Sequence, residues 1–243
     1  MLAPVREVSA FLTAALYDPV PRDHAESDAA FLRRRIVAGL TLVVGVALLA
    51  WSLRIPPGDS RFYGATLALA ASYVVGSFAS GRLHLGYAHR RHEGTGRPFV
   101  QSLALGVLLL GLFIAGSVVV AQIPFLRRPV EELLDHARFG SLPLVLLITV
   151  VNGIAEELFY RGALYAAVGR RHAVAVTTVI YTLVTAAAGI PLLALAAAVL
   201  GLVVGLQRRV TGGILGPIIT HLVWSVGMLF LLGPALEFFG GLF

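Results

Sequence analysis

An all-α, polytopic membrane helix bundle of about seven transmembrane helices is the fold this sequence predicts, and three observations predict it. The composition is 58% hydrophobic and only 13% charged, with a mean hydropathy of +0.86, far from the averages of soluble domains. Seven apolar stretches approach or exceed the roughly 20 helical residues that cross a bilayer. The basic residues, all of them arginine, crowd into alternate loops between those stretches.

The stretches fall near 36–53, 62–80, 98–124, 142–168, 173–189, 191–206 and 213–233. The first runs from Arg33-Arg34-Arg35 to Arg54, and the second lies between Arg61 and Arg82. The third runs from 98 to 124. Ser141 precedes the fourth, whose only charges are Glu156, Glu157 and Arg161. Gly189-Ile190-Pro191 divides the fifth from a short sixth. Gly213 opens the last, after which ALEFFGGLF is too short to cross again. Two further segments have helical amphipathic spacing and suit a surface-lying helix or a plain connector: Val5, Val8, Phe11, Leu12 and Leu16, then Val130, Leu133, Leu134 and Ala137. Residues 1–35 are therefore expected to form an N-terminal tail with an interfacial helix, and 36–243 a single integral membrane domain with a catalytic-type core at 142–230. Gly201 with Gly205 fits close helix packing, as Gly111 with Gly116 does more weakly.

Charge sets orientation and narrows function. The tail and alternate loops carry 13 arginines, among them Arg22, Arg82, Arg90, Arg91, Arg97, Arg170, Arg171, Arg208 and Arg209, against five in the intervening loops. By the positive-inside rule the N-terminus is cytoplasmic. Arginine without lysine suits a GC-rich bacterial genome, hence an expected bacterial cytoplasmic membrane location. No signal peptide is expected, because the first apolar run begins at Ile36. No cysteine is present, which excludes disulfides, thiolate metal sites and a cysteine nucleophile. The dispersed arginines do not suggest nucleic acid as a partner.

Ionisable groups at membrane depth are costly and persist when paired or functional. Glu157 and Arg161 stand four apart, share a helix face and can neutralise each other, which leaves Glu156 to explain. Counted from the cytoplasmic ends of their spans, Glu156 lies 13 residues in, Tyr181 and Thr185 nine and 13, and His221 and Ser225 eight and 12. At about 1.5 Å per residue, Asn152 with Glu156, Tyr181 with Thr185, and His221 with Ser225 form three i, i+4 pairs at a similar level. Hydrocarbon surroundings make a carboxylate harder to ionise, which suits a general base near neutral pH. An imidazole and neighbouring hydroxyls can hold a water or donate to an oxyanion. Such a set is a minimal peptide-hydrolysis site. Zinc on Glu156, Glu157 and His221 is an alternative with less support, since catalytic zinc takes three protein ligands and no His-Glu-x-x-His occurs.

The run NGIAEELFYRGALY, with Glu156-Glu157-x-x-x-Arg161, resembles the first signature of the CAAX-protease and bacteriocin-processing (CPBP) family of intramembrane proteases, also called the abortive-infection family. GPIITHLVWS, with His221 and Ser225, is similar to its third signature, a His followed four later by Asn or another polar residue. The likeness covers about 142–230. It implies a helix bundle with a conical cavity and a peptide or membrane-protein substrate cut near its C-terminus. It also implies a catalytic Glu156, oxyanion donors His221 and Ser225, and a supporting Glu157–Arg161 pair. The family's second signature, Phe-x-x-x-His, is replaced by Tyr181-x-x-x-Thr185, so Thr185 stands where a histidine is expected. A threonine can position a water but cannot store a proton near pH 7. Three functions stay open: a glutamate-dependent intramembrane peptidase, a non-catalytic family member that binds a partner, and a transporter relaying protons through Glu156 and His221. The absence of inverted halves disfavours the last.

Overall fold

The structure, a computed structural model, describes residues 3–22, 24–56, 59–89, 94–138, 141–169 and 171–241, with the side chains of residues 3 and 136–138 left out. The topology arginines Arg90, Arg91 and Arg170, and the side chain of Ala137, therefore lie outside the described residues. Among the described residues nine helices follow one another: α1 (Ala3–Leu16), α2 (Asp28–Ser52), α3 (Arg61–Ser80), α4 (Phe99–Gln122), α5 (Pro124–Arg138), α6 (Leu142–Val168), α7 (Ala173–Ala186), α8 (Pro191–Thr211) and α9 (Leu215–Gly240). Six of them, α2, α3, α4, α6, α8 and α9, are long and apolar enough to cross a membrane. The fifth expected span is shorter: α7 holds 14 residues. It stops at Ala187–Gly189, where Gly189 takes a left-handed φ of 75° that ends the helix.

Two spans extend beyond their apolar runs. α2 starts at Asp28, eight residues before Ile36, because Ser27 caps it by accepting from Ala30 N at 3.3 Å. Helix continues through Arg33-Arg34-Arg35 because nothing in that run opposes it once the cap is set. α9 continues to Gly240, so most of the C-terminal ALEFFGGLF prolongs the seventh span.

The loops gather at two ends, as seven crossings require. At one end residues 17–27 strap across the bundle. Val20 N donates to Val210 O at 2.9 Å, and the His24 and His84 rings stack 3.7 Å apart. There the α3–α4 loop crosses the α8–α9 turn, with Tyr87 N donating to Thr211 O and Ile214 N to His84 O, both at 2.9 Å. The crossing is backbone on backbone: a Cβ on Gly213 would sit 2.0 Å from the Leu85 carbonyl carbon. A short antiparallel ribbon, Ala88–His89 with Thr95–Gly96, departs from the all-helical pattern, and Arg97 props it by donating to Gly86 O at 3.0 Å. At the opposite end Ser141 N donates to the Tyr63 hydroxyl, and Gln122 Nε2 to Phe239 O at 2.7 Å.

The molecule wears its apolar side chains outside. Leu40, Val75, Val100 and Leu112 are each more than 60% exposed, which suits hydrocarbon as the surrounding solvent. The interior is built on a stack of Tyr73 on Phe159, with Tyr160 edge-on to both. A second clasp ties α4, α8 and α9: Gln207 Nε2 donates to Ser102 Oγ, and the Thr220 hydroxyl donates to Gln207 Oε1, both at 3.0 Å. Of the segments before the first and fourth spans, α5 buries Val130 and packs Leu134 against Leu236. α1 buries Ala15 and leaves Val5 and Val8 exposed.

Gly201 and Gly205 serve packing as expected, letting α8 lie against Val174, Thr178 and Tyr181 of α7. Gly111 and Gly116 do not: nothing lies within 4 Å of a Cβ at either, because that face of α4 meets no other helix. Close packing on α4 falls instead at Gly106, against Val223. A Cβ on Gly201 would stand 3.3 Å from both Arg161 Nη2 and Tyr181 Cδ1. Gly201→Val should therefore lower thermal stability by about 1–3 kcal/mol, whereas Gly111→Ala should leave the melting temperature of the detergent-solubilised protein unchanged or slightly raised. Equal melting temperatures for wild type and Gly201→Val would contradict this packing.

Candidate active site

The site is built on a change of helix type. From Glu157 to Leu164 the α6 backbone is π-helical, and all eight residues are buried. Such wide turns are rare in helices and frequent at functional sites. Arg208 of α8 donates from Nε to Arg161 O, within this turn, at 2.7 Å, while its guanidinium covers the Tyr165 ring.

Glu157 lies inside the bundle with no exposure, and its Oε1 accepts from Arg161 Nη1 at 3.2 Å and from His221 Nδ1 at 2.7 Å. An ionised carboxylate only accepts, so Nδ1 carries a proton and Nε2 is left toward the interior; Nε2 has no hydrogen-bond partner among the described residues. Arg161, also fully buried, makes one hydrogen bond and rests its guanidinium against the rings of Tyr181 (4.7 Å) and Tyr160 (5.8 Å). Those ring faces supply cation–π attraction for its unbonded Nε and Nη2. Tyr160 is fixed in turn by its hydroxyl, 3.1 Å from that of Tyr73.

The neighbouring Glu156 is half-buried and accepts at Oε2 from the Tyr181 hydroxyl at 2.7 Å. Gly153, one turn before Glu157, has room for a Cβ only at 3.0 Å from Leu222 and 3.9 Å from the His221 ring, so the lack of a side chain there lets α9 close on α6. Glu157 Oε2, Asn152 Oδ1 and Trp224 Nε1 are buried around this point with no hydrogen-bond partner among the described residues. The Trp224 ring lies 6.1 Å from that of His221. Unanswered polar atoms of this kind mark a place where water or a ligand would complete the network.

Two sequence expectations change. Glu156 is not without a partner, because Tyr181 reaches it. His221 hydrogen-bonds Glu157. The residue of α7 that hydrogen-bonds Glu156 is Tyr181; Thr185 sits one turn further on, half-buried, with no side-chain hydrogen bond among the described residues. Ser225 remains half-buried, its hydroxyl turned to Leu222 O of its own helix at 3.5 Å. Asn152 likewise donates to Ile148 O at 3.0 Å. The residues do not fit zinc. Among the described residues no three His, Asp or Glu side chains are grouped as a ligand set, and the guanidinium of Arg161 already holds the oxygen that His221 shares.

Tyr73, Tyr160, Trp224 and Arg208 were not singled out from the sequence. Tyr160, next to Arg161 in the signature run, was the one with a signal.

Fold and site define a class: a membrane helix bundle with an acidic, buried, histidine-bearing centre. Residues 138–227 match the family model for Rce1-like proteins, described as type II CAAX prenyl endopeptidase. Over that segment the chain is similar to this family, in agreement with the CPBP resemblance. No curated protein and no solved structure matches the chain.

The Glu157–Arg161–His221 cluster makes a stability prediction. Removing one partner of a buried ion pair costs roughly 3–5 kcal/mol, because a charge is left uncompensated. Arg161→Ala should sharply reduce the yield of folded protein or its melting temperature, with Glu156→Gln close to wild type in both. A stable Arg161→Ala protein beside an unfolded Glu156→Gln protein would show the two carboxylates in reversed roles.

Proposed function

We propose that the chain is an intramembrane endopeptidase that hydrolyses a peptide bond of a membrane-associated or C-terminal peptide substrate with Glu156 as general base. The observation that carries this is the unequal partnering of two adjacent carboxylates. Glu157 is closed off by Arg161 and His221, while Glu156 keeps partial exposure and one hydroxyl partner. Glu156 takes a proton from water as the water oxygen attacks the scissile carbonyl. His221, in the form that carries a proton on Nε2, donates from it to the oxyanion while Nδ1 stays at Glu157. The C–N bond then breaks, the proton passes from Glu156 to the departing amine, and a carboxylic acid product remains. Ser225 would join as a second donor by turning its hydroxyl away from Leu222 O.

Tyr181 takes the place beside the base that the resemblance reserved for a histidine at 185. Its hydroxyl orients Glu156 but stores no proton near neutral pH. That no imidazole touches Glu156 favours the second function, a non-catalytic member that binds a partner through the same centre. Turnover of a C-terminal peptide library by the purified protein separates the two. Under the peptidase proposal Glu156→Gln abolishes turnover at unchanged melting temperature, and Tyr181→Phe lowers it roughly 10- to 100-fold, at the low end of what a positioned proton-transfer group contributes. Thr185→Val leaves it unchanged. A loss confined to Thr185→Val would return the water-holding role to Thr185; stable proteins with no turnover in any form, wild type included, would favour the binding function.

We also propose that the arginine-rich end, with residues 17–27, the α3–α4 loop and the α8–α9 turn, faces the cytoplasm. Thr95 and Ser60 are exposed at opposite ends, and the chain has no native cysteine. In intact cells a membrane-impermeant thiol reagent should label Ser60→Cys and spare Thr95→Cys. The opposite pattern would invert the topology.

A further inference from the structure

Outside the carboxylate centre, the described residues enclose a cavity of about 310 Å³ at the arginine-rich end, against the side of the π-helical turn away from the core. Five arginines line it, Arg22, Arg34, Arg82, Arg208 and Arg209, against two carboxylates, Glu26 and Asp28. Arg34 is spent on the fold: buried, it clasps both oxygens of Glu26 and donates to Ser80 Oγ and Arg82 O. That clasp holds the Glu26 carboxyl below its ordinary range. His84, stacked on His24 at the wall, has its pKa pushed down by burial and by the nearby Arg208, Arg82 and Arg34, so it adds no charge at neutral pH.

Arg22 donates to Val210 O and Arg209 to Leu16 O, each at 3.2 Å, so both are engaged with backbone carbonyls; Arg208 and Arg82 remain for a ligand. Arg208 is 5% exposed, uses Nε on Arg161 O and its face on Tyr165, and makes no other hydrogen bond among the described residues. Arg82 is exposed at the mouth, and its side chain has no hydrogen bond or ion pair among the described residues. A guanidinium kept nine-tenths buried with both terminal nitrogens uncommitted is costly unless an anion answers it. The fork of N–H donors suits phosphate oxygens taken two at a time.

We propose that this cavity is a binding site for a phosphate group, held between Arg208 at its floor and Arg82 at its mouth. The cavity lies where the helices end, the depth at which basic pockets between membrane helices meet headgroups. A phospholipid headgroup and free phosphate present the same chemistry. Occupancy would also bear on the carboxylate centre, because Arg208 holds the Arg161 carbonyl.

The test uses the full chain in maltoside micelles and phosphate-free buffer, read by melting temperature. One arm adds inorganic phosphate; the other adds phosphatidylglycerol to the micelles. Phosphate binding raises the melting temperature in at least one arm, and which arm responds identifies the source. Arg82→Gln, at an exposed position the fold does not use, should weaken the half-saturating concentration about tenfold, the loss of one charge-assisted contact. Arg208→Lys, which keeps charge but loses the fork, should weaken it as well. Arg33→Gln removes the same charge at the same end outside the cavity and should leave the response intact. No shift in either arm for folded wild type, or a shift equal in Arg82→Gln and wild type, would overturn the site. A loss as large in Arg33→Gln as in Arg82→Gln would reduce it to general surface attraction and overturn it too.

Discussion

Much of this structure depends on the need to keep one carboxylate charged inside a membrane protein. Glu157 has no exposure, and the groups that answer it come from its own turn, Arg161, and from a helix 64 residues later, His221. A buried charge tolerates only accurate partners, so the requirement spreads outward. Arg161 needs the rings of Tyr160 and Tyr181 beside it and needs Gly201 across from it, since a larger residue would occupy its place. His221 needs Gly153 to let α9 approach. Tyr160 needs the Tyr73 hydroxyl, which reaches back to α3. Four helices are thus positioned by one ionised group.

The same constraint explains why adjacent glutamates differ. Both belong to one turn, yet the partners gather on the side of Glu157 and leave Glu156 at the margin of the packed interior with only the Tyr181 hydroxyl. Within that π-helical turn, Arg208 of α8 donates to the Arg161 carbonyl. The carboxylate centre and the basic cavity therefore share a wall made of a single peptide group.

The long elements were legible because hydrocarbon imposes composition on them: α2, α3, α4, α6, α8 and α9 stand close to where apolar length and arginine boundaries put them. α7 came out short because Gly189, at positive φ and followed closely by Pro191, ends the helix within the apolar run. The Glu157–Arg161 pair was legible from spacing alone. The partner of His221 was not, because it depends on which way two helices turn about their axes, and that is decided by small residues such as Gly153. The change of helix type midway through α6 was not legible either, because no periodicity in ELFYRGAL announces it. The role of Gly201 was visible as packing, but not that its neighbour would be an arginine.

The brevity of α7 has a consequence for the lipid around it. Fourteen helical residues reach about 21 Å at about 1.5 Å each, while a typical hydrocarbon core is about 30 Å thick. Val179 and Leu183 face outward on this helix, so lipid lies directly against it. Such a mismatch is met by thinning of the adjacent leaflets or by drawing flanking residues inward. The helix that suffers it is the one that carries Tyr181 to Glu156. A bilayer thinned beside that contact would shorten the distance water travels through hydrocarbon to reach it.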